Sequence, residues 1–364
     1  MKNTIGSNVT VTLFGESHGP SIGVVIDGLA PGMPVDEEVI KEMLSRRRPA
    51  GGISTARREQ DPFVIESGVF EGRTTGTPVC IRIANSDTRS GDYSATRYLA
   101  RPSHADYTAN QKYHGYEDYR GGGHFSGRIT AALVAAGALV MPALNAKGIF
   151  IGTHISRCAG IADRAFENLQ QDIDTLNKAE FAVLDAAAGE KMQRAILAAK
   201  ADGDSVGGVL ETAVIGLEAG LGEPWFDTVE SVLSHILFSV PAVKGVEFGA
   251  GFALAEMTGA QANDPFCMEK GRVQTKTNNS GGINGGITNG MPLIFRCAMR
   301  PTPTISRAQE TVDMDKLENA TLQAKGRHDP CIVQRARVVM DCVTALTVCD
   351  LLAGRYGTDW LDEK

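Results

Sequence analysis

Four short stretches hold the residue types that bind anions and move protons. The first is "LFGESHGPSIG", residues 13 to 23, in which Gly15-Glu16-Ser17-His18-Gly19 reads as G-x-S-x-G. That pentapeptide exposes a nucleophilic serine when a strand precedes it and a helix follows. Here the following "SIGVVIDGL" is β-branched and strand-like, and a chain with 41 glycines produces such matches by chance. The stretch therefore reads as a glycine-flanked turn between two strands. In such a turn Ser17 serves as a hydrogen-bonding group, and His18, of a residue type that titrates near neutrality, suits proton transfer.

The second stretch, "RPSHADYT" (101 to 108), sets Arg101, His104 and Asp106 close together in a polar, Gly- and Tyr-rich region. Loops of that kind carry sites, although a histidine there can equally be structural. The third, "YRGGGHFSGR" (119 to 128), runs into a helix. Glycine lets backbone N–H groups approach an anion, a helix N-terminus favours negative charge, and Arg120 and Arg128 can add bidentate contacts. It matches neither the P-loop nor the Rossmann pattern. The fourth, "GRHDPCIVQRAR" (326 to 337), places Arg327, His328 and Asp329 before another helix. Pro330 suits the first turn of that helix and Asp329 its N-cap, so this carboxylate has a structural reading beside a functional one. "MRPTPT" (299 to 304) closes a strand with a rigid loop. No spacing of His, Cys, Asp and Glu suggests a metal.

The bulk numbers sharpen this. The formal charge of −7 speaks against a general nucleic-acid surface. Yet Arg46, Arg47, Arg48, Arg57 and Arg58 crowd one segment, and Arg101, Arg120 and Arg128 follow. Many arginines, several histidines and two glycine-rich loops suit a small, multiply anionic substrate such as a phosphorylated metabolite. The cysteines number 7, an odd count without C-x-x-C, which fits reduced thiols in a cytoplasm. No segment reaches the roughly 18 apolar residues of a membrane span. "ITAALVAAGALVMPAL" (129 to 144) reads as a buried helix, and the N-terminus lacks a continuous apolar leader.

The elements that must carry these groups follow from periodicity. "NVTVTLF" and "SIGVVIDGL" predict strands, and 36 to 48 a helix with acids in its first turn and arginines in its last. "PFVIESGVFEG" and "TPVCIRIAN" predict paired strands, and 86 to 127 reads as one long irregular stretch. Further strands are expected in "GIFIGTHISRCAG", "SVGGVLETAVIGL", "GVEFGAGFALAEM" and "MPLIFRCAMRP". Helices are expected over 165 to 202, from Asp227 as N-cap through "FDTVESVLSHILFSV", and over 334 to 353. Strands and helices mix without a strict βαβ repeat, which predicts an α+β fold. Length alone would allow two domains, but no boundary is visible.

Beyond this point the motifs resemble a known family. "FGESHG", "RRRP", "RREQDPFVIESGVFEGRTTGTP", "RPSHADYT", "YRGGG", "AGLGEPWFD", "AVKGVEFGAGF", "GGINGGI" and "GRHDPC" occur in the order seen in chorismate synthases, from about residue 5 to about residue 355. The resemblance implies a β-α-β sandwich in a single large domain over residues 1 to 364, assembled as a homotetramer in the cytoplasm. It implies a lyase of the shikimate pathway that eliminates phosphate from 5-enolpyruvylshikimate 3-phosphate in a 1,4-anti sense, giving chorismate. Reduced FMN is required without net redox change, and FMN and NADP are the nucleotides associated with the family. By the same resemblance His18, His104, Asp329 and Ser17 serve the chemistry, and Arg47, Arg57, Arg101, Arg128 and Arg327 anchor the substrate. FMN would touch His124, Phe125, Ser126, Pro241, Ala242, Gly285, Arg300, Pro301, Thr302, Pro303, Thr304 and Arg327. His18 would aid phosphate departure, His104 would protonate or hydrogen-bond the reduced flavin, and Asp329 would help a flavin nitrogen accept the ring proton.

The sequence departs from the common pattern in four places. His124-Phe125-Ser126-Gly127-Arg128 stands where Arg-Ser-Ser-Ala-Arg is frequent. The "AGGIS" loop (50 to 54) is one residue shorter and lacks an arginine, Pro241 replaces a frequent Asn, and Arg300 a frequent Lys. No reductase segment is visible, so reduced FMN is expected from an outside supply. Partners other than small molecules are not expected, neither nucleic acid nor membrane. A serine hydrolase, labelled at Ser17, and a non-catalytic anion or RNA binder remain the competing readings.

Overall fold

The computed structural model describes residues 2–49, 51–54, 60–86, 97–324 and 328–362. Its first part holds β1 (Thr4–Ile5), β2 (Thr10–Gly15), β3 (Ser21–Asp27), α1 (Glu37–Arg47), β4 (Phe63–Ser67), the small hairpin β5 (Val69–Phe70) and β6 (Arg73–Thr74), and β7 (Val79–Ala84). Strands β1-β2-β3-β7-β4 form one antiparallel sheet. Ile22, Val24 and Ile26 of β3 stand opposite Ile83, Ile81 and Val79 of β7, and all six are buried on the same face. Period-2 alternation is what makes that face.

Then come α2 (Asp106–Tyr113), α3 (Thr130–Ala146), β8 (Phe150–Cys158), β9 (Ile161–Ala162), α4 (Leu169–Leu176), α5 (Ala186–Ala201), β10 (Gly208–Ile215), α6 (Val229–Ser239) and β11 (Val243–Phe248). The chain ends through α7 (Gly259–Ala262), hairpins β12 (Phe266–Glu269) with β13 (Arg272–Thr275) and β14 (Ile283–Asn284) with β15 (Ile287–Thr288), β16 (Leu293–Met299), hairpin β17 (Ala308–Asp313) with β18 (Glu318–Gln323), and α8 (Val333–Tyr356). A second antiparallel sheet has the order β11-β16-β10-β8-β9. Helices α1, α3 and α8 pack together between the sheets, α3 against β3 and β7, α8 against β8 and β10. This is the expected sandwich, with one continuous apolar core in a single domain. Contrary to the expectation that no segment is long enough, Gly127–Ala146, which is α3 with the turn before it, has the length and apolarity to span a bilayer, but it lies mostly buried inside the sandwich.

The middle layer is tight. A Cβ at Gly137 of α3 would stand 2.4 Å from the Cβ and the carbonyl oxygen of Cys342 on α8, so glycine permits that helix contact. Asp341 of α8 accepts from Thr153 Oγ1 at 2.6 Å and from Arg337 at 3.1 Å, which ties the helix to the inner face of the second sheet. Burial pushes the Asp341 carboxyl up. Asp350, farther along α8, accepts from the backbone of Ser7, Asn8 and Val9 and so holds the approach to β2. The long last helix thereby fixes both sheets.

Several sequence expectations need correction. The segment 165 to 202 forms two helices, α4 and α5, with Asn168 and Asp185 as their separate caps. Helix α6 is capped by Thr228, whose side chain accepts from Ser231 N at 3.0 Å, and not by Asp227. The strand expected through Met257 stops at Phe248, and residues 251 to 256 turn into a 3-10 helix. Helix α8 begins at Val333, four residues past Asp329, so Asp329 is not its N-cap.

On the outer face of the second sheet a row of charges crosses the strands. His154 of β8 donates from Nδ1 to Asp163 at 2.8 Å and from Nε2 to Glu211 at 2.9 Å, and Arg296 links Glu211 (3.3 Å) to Glu247 (2.7 Å). Both ring nitrogens face carboxylates, so the buried ring is held as imidazolium. Burial opposes that charge, but Asp163 and Glu211 outweigh it and raise the His154 pKa. The stability this gives is fully present below the unfolded histidine value of about 6.5 and fades as pH rises through the higher folded value. His154→Gln should cost about 3–5 kcal/mol near pH 6 and flatten the alkaline decline in urea-unfolding stability. An unchanged pH profile would contradict the assignment.

Candidate active site

Arg47 reaches the site because it sits on the apolar stripe of α1. Ile40, Met43, Leu44 and Arg47 are the buried residues of that helix, and Asp36 caps its start by accepting from Glu38 N at 2.9 Å. The stripe turns the guanidinium inward, where Arg47 is 2 % exposed. It meets Asp61, whose carboxylate accepts from Arg47 Nη2 at 2.9 Å and from Arg128 Nη1. Arg128 also donates to Asn85 Oδ1 at 3.0 Å and to Ala84 O at 3.2 Å, at the end of β7. Burial pushes the Asp61 carboxyl up, but the two guanidiniums outweigh it and hold it below the usual range. The result is a pair of arginines locked by one buried carboxylate, carrying net positive charge toward the cavity they line.

The glycine triplet organises the rest. Gly121, Gly122 and Gly123 have φ of +58°, +85° and +53°. A Cβ at Gly121 would lie 2.1 Å from His18 Cε1, and one at Gly122 would lie 3.1 Å from His104 Cε1. The two histidines thus rest on adjacent glycines. Ser17 locks the first of them. Its Oγ lies 3.2 Å from the carbonyls of Arg120 and Gly121 and 3.1 Å from His18 Nδ1. The hydroxyl donates to a carbonyl and accepts from His18 Nδ1, which leaves Nε2 as the exchangeable nitrogen. Strand β3 follows this turn, so the strand–turn–helix of a hydrolase nucleophile is absent there.

The polar stretch before the triplet is less irregular than its sequence. It contains α2, and Arg101, His104 and Asp106 converge at the start of that helix. Residues 87–96 of that stretch lie outside the described residues. Arg120 is outside the cavity lining, and Asp118 accepts from its Nε and Nη2 at 2.8 Å each. His124 donates from Nδ1 to Gly15 O at 2.7 Å. Phe125 packs edge-on against Tyr113 with centroids 6.0 Å apart, and Ser126 Oγ accepts from Arg128 N at 3.3 Å. The departures His124 and Phe125 therefore have defined partners.

These groups surround one cavity of about 1200 Å³, ample for a substrate and a cofactor together. His18, His104, Asp329, Arg47, Arg101 and Arg128 line it. So do His124, Phe125, Ser126, Pro241, Ala242, Arg300, Thr302, Pro303 and Thr304. Pro301 belongs to the same loop but is not in the lining, and Ser17 stands behind His18. Gly285 lies in the turn between β14 and β15 and is not brought to this cavity. Arg57 and Arg327 lie outside the described residues. Arg300 Nε and Thr302 Oγ1 are buried here without a hydrogen-bond partner.

Three residues that the sequence reading did not assign complete the arrangement. They are Asp61, Asp106 and Arg335; Arg335 donates to the Asp329 carboxylate and, at 3.0 Å, to Arg47 O. Asp106 carried a sequence signal in its place beside Arg101 and His104, and Arg335 carried one as the third residue of α8, in the stretch that holds Asp329. Asp61 is separated from Arg47 by 14 positions and from Arg128 by 67, so no local pattern reveals it.

Fold and cavity together define an α+β enzyme for a small polyanionic substrate, with paired histidines in an arginine-lined cavity. Residues 9–353 match the family model described as chorismate synthase. The chain is 46% identical over 351 residues to the chorismate synthase of Thermococcus gammatolerans, covering 96% of this chain and 97% of that one. It is 42% identical over 365 residues to that of Aeropyrum pernix, covering 100% and 96%. A solved structure titled "Crystal Structure of Chorismate Synthase" superposes with a TM-score of 0.77 at 28% identity, over 97% of this chain and 94% of that one. The chain belongs to the chorismate synthase family. Its activity is the family's, a lyase reaction of the shikimate pathway that removes phosphate from 5-enolpyruvylshikimate 3-phosphate.

Proposed function

We propose that the cavity performs this reaction as a 1,4-anti elimination to chorismate, with reduced FMN beside the substrate and no net redox change. The observation that carries the reading is the seating of His18 and His104 on adjacent glycines in a cavity also lined by Arg47, Arg101, Arg128 and Asp329. A substrate with two carboxylates and a phosphate needs such arginines, and a departing phosphate needs a nearby acid. In this reading Arg47, Arg101 and Arg128 hold the anionic groups, together with Arg57 and Arg327 by family resemblance. His18, steadied by Ser17, gives a proton or hydrogen bond to the leaving phosphate. His104 holds a proton at the cofactor side, and Asp329, held by Arg335, presents a carboxylate on the side of the departing ring proton.

The lining suits FMN on one structural ground: the unpartnered buried Arg300 Nε and Thr302 Oγ1 call for a polar ligand. His124, Phe125, Ser126, Pro241, Ala242, Arg300, Thr302, Pro303 and Thr304 would hold it, with Pro301 stiffening the loop. When bound, reduced FMN supplies electron density to an electron-poor intermediate.

The same reading extends to one catalytic domain over residues 1–364, working as a cytoplasmic homotetramer supplied with reduced FMN, and NADP-linked reduction, from outside. Exposed Trp225, Phe226, Phe252, Phe266 and Met268 support self-association. The test is stoichiometric. Incubated anaerobically with 5-enolpyruvylshikimate 3-phosphate and reduced FMN, the protein should release phosphate and chorismate in equal amounts. Phosphate without chorismate would identify a phosphatase instead.

A further inference from the structure

Asp106 makes more contacts at the site than its place at the start of a short helix requires. Its Oδ2 accepts from Arg101 Nε at 2.7 Å and from Arg101 N at 3.0 Å. Its Oδ1 accepts from Arg101 Nη2 at 2.6 Å and stands 3.0 Å from His104 Nδ1. Arg101 Nη2 is itself 3.1 Å from His104 Nδ1. A guanidinium nitrogen has protons to give and no lone pair to offer, so it cannot receive a proton from Nδ1. Its own proton goes to Oδ1, the nearer acceptor. The carboxylate has capacity for both donors, and the arrangement is satisfied when Nδ1 is protonated and donates to Oδ1.

Burial would push the Asp106 carboxyl up, but the hydrogen bonds from Arg101 and His104 outweigh it and hold it well below the usual range. It therefore stays ionised across any working pH. With Nδ1 committed to Asp106, Nε2 is the nitrogen that exchanges protons. That nitrogen lies over Gly122, where a Cβ would stand 3.5 Å from Nε2 and 3.9 Å from Arg101 Nη2. The imidazole and the guanidinium thus share the space above one glycine, and the same carboxylate holds both.

We propose that Asp106 is a positioning residue for the lyase reaction: through Oδ1 it fixes the His104 tautomer, and with both oxygens it holds the Arg101 fork in register with that ring. The proposal rests on the reading of His104 as a proton-handling group at the cofactor side. It makes two separable claims. Through His104, Asp106 governs kcat. Through Arg101, it governs substrate KM.

The experiment is a double-mutant cycle in the full chain, with anaerobic kinetics on 5-enolpyruvylshikimate 3-phosphate and reduced FMN. Asp106→Asn is measured alone and in a His104→Ala background. Alone it should lower kcat by at least about 10²-fold, the low end of what general acid–base catalysis contributes. Added to His104→Ala it should lower kcat by no more than about twofold, because the coupling partner is already gone. Substrate KM should rise in both backgrounds. If Asp106→Asn does not fold, Asp106→Glu, which keeps the charge but moves it, completes the same cycle with smaller losses. Equal kcat losses in both backgrounds would show a merely structural role and overturn the proposal. Wild-type kcat in the single variant would overturn it too. A wild-type protein that gives no chorismate would instead overturn the lyase reading, and full turnover by His104→Ala would overturn the role of His104.

Discussion

Gly121→Ala is expected to abolish turnover in a protein that still folds. The new Cβ would stand 2.1 Å from His18 Cε1, 2.3 Å from His18 Nδ1 and 2.8 Å from Ser17 Oγ. Cβ atoms do not approach that closely, so the imidazole must leave its seat and its bond to Ser17. The backbone adds strain, since φ is +58° and a left-handed residue other than glycine costs about 1–2 kcal/mol. Stability should fall by roughly that amount, which a domain of this size withstands. Turnover should fall much further, by at least about 10²-fold, the low end for a displaced general acid. Anaerobic kcat and a thermal melt on the same sample separate the effects. A folded Gly121→Ala protein within a few-fold of wild-type kcat would show that His18 is not held by the triplet for catalysis.

His18→Ala carries the second large effect. The ring lines the cavity with Nδ1 against Ser17, and in the proposed reaction it serves the leaving phosphate. Removing it should lower kcat by about 10²–10⁴-fold. Substrate affinity should change little, because the anchoring arginines are held by their own carboxylates, Arg47 and Arg128 by Asp61 and Arg101 by Asp106. Rapid-quench turnover and equilibrium substrate binding report the two quantities. Loss of binding with kcat retained would make His18 an anchor.

Much of this architecture is legible in the chain because it is local. Alternation in "SIGVVIDGL" and "TPVCIRIAN" marks two of the three inner strands of the first sheet, and the spacing of Ile40, Met43, Leu44 and Arg47 puts an arginine on a buried stripe. The glycine triplet announces a special backbone, and positive φ at all three residues is what it provides. What stayed hidden is non-local. Asp61 serves two arginines far from it in sequence, and the Glu247-Arg296-Glu211-His154 row exists only once four strands are in register. The β17–β18 hairpin was missed because its exposed, polar strands show no apolar alternation. Asp329 misled in the other direction. "DP" before a helix is an ordinary cap signal, but the chain takes three more residues to enter α8, and the carboxylate goes to Arg335 instead.

In the proposed reaction, reduced flavin serves this cavity as a recycled participant and not as a reductant. This is tested most directly by counting electrons. A limiting amount of reduced FMN is mixed anaerobically with the protein and a large excess of 5-enolpyruvylshikimate 3-phosphate, while chorismate and flavin absorbance are followed together. The account predicts many chorismates per FMN, with the flavin still reduced at the end and no product when it starts oxidised. Flavin oxidised in step with each product formed, or chorismate made equally well with oxidised FMN, would contradict it.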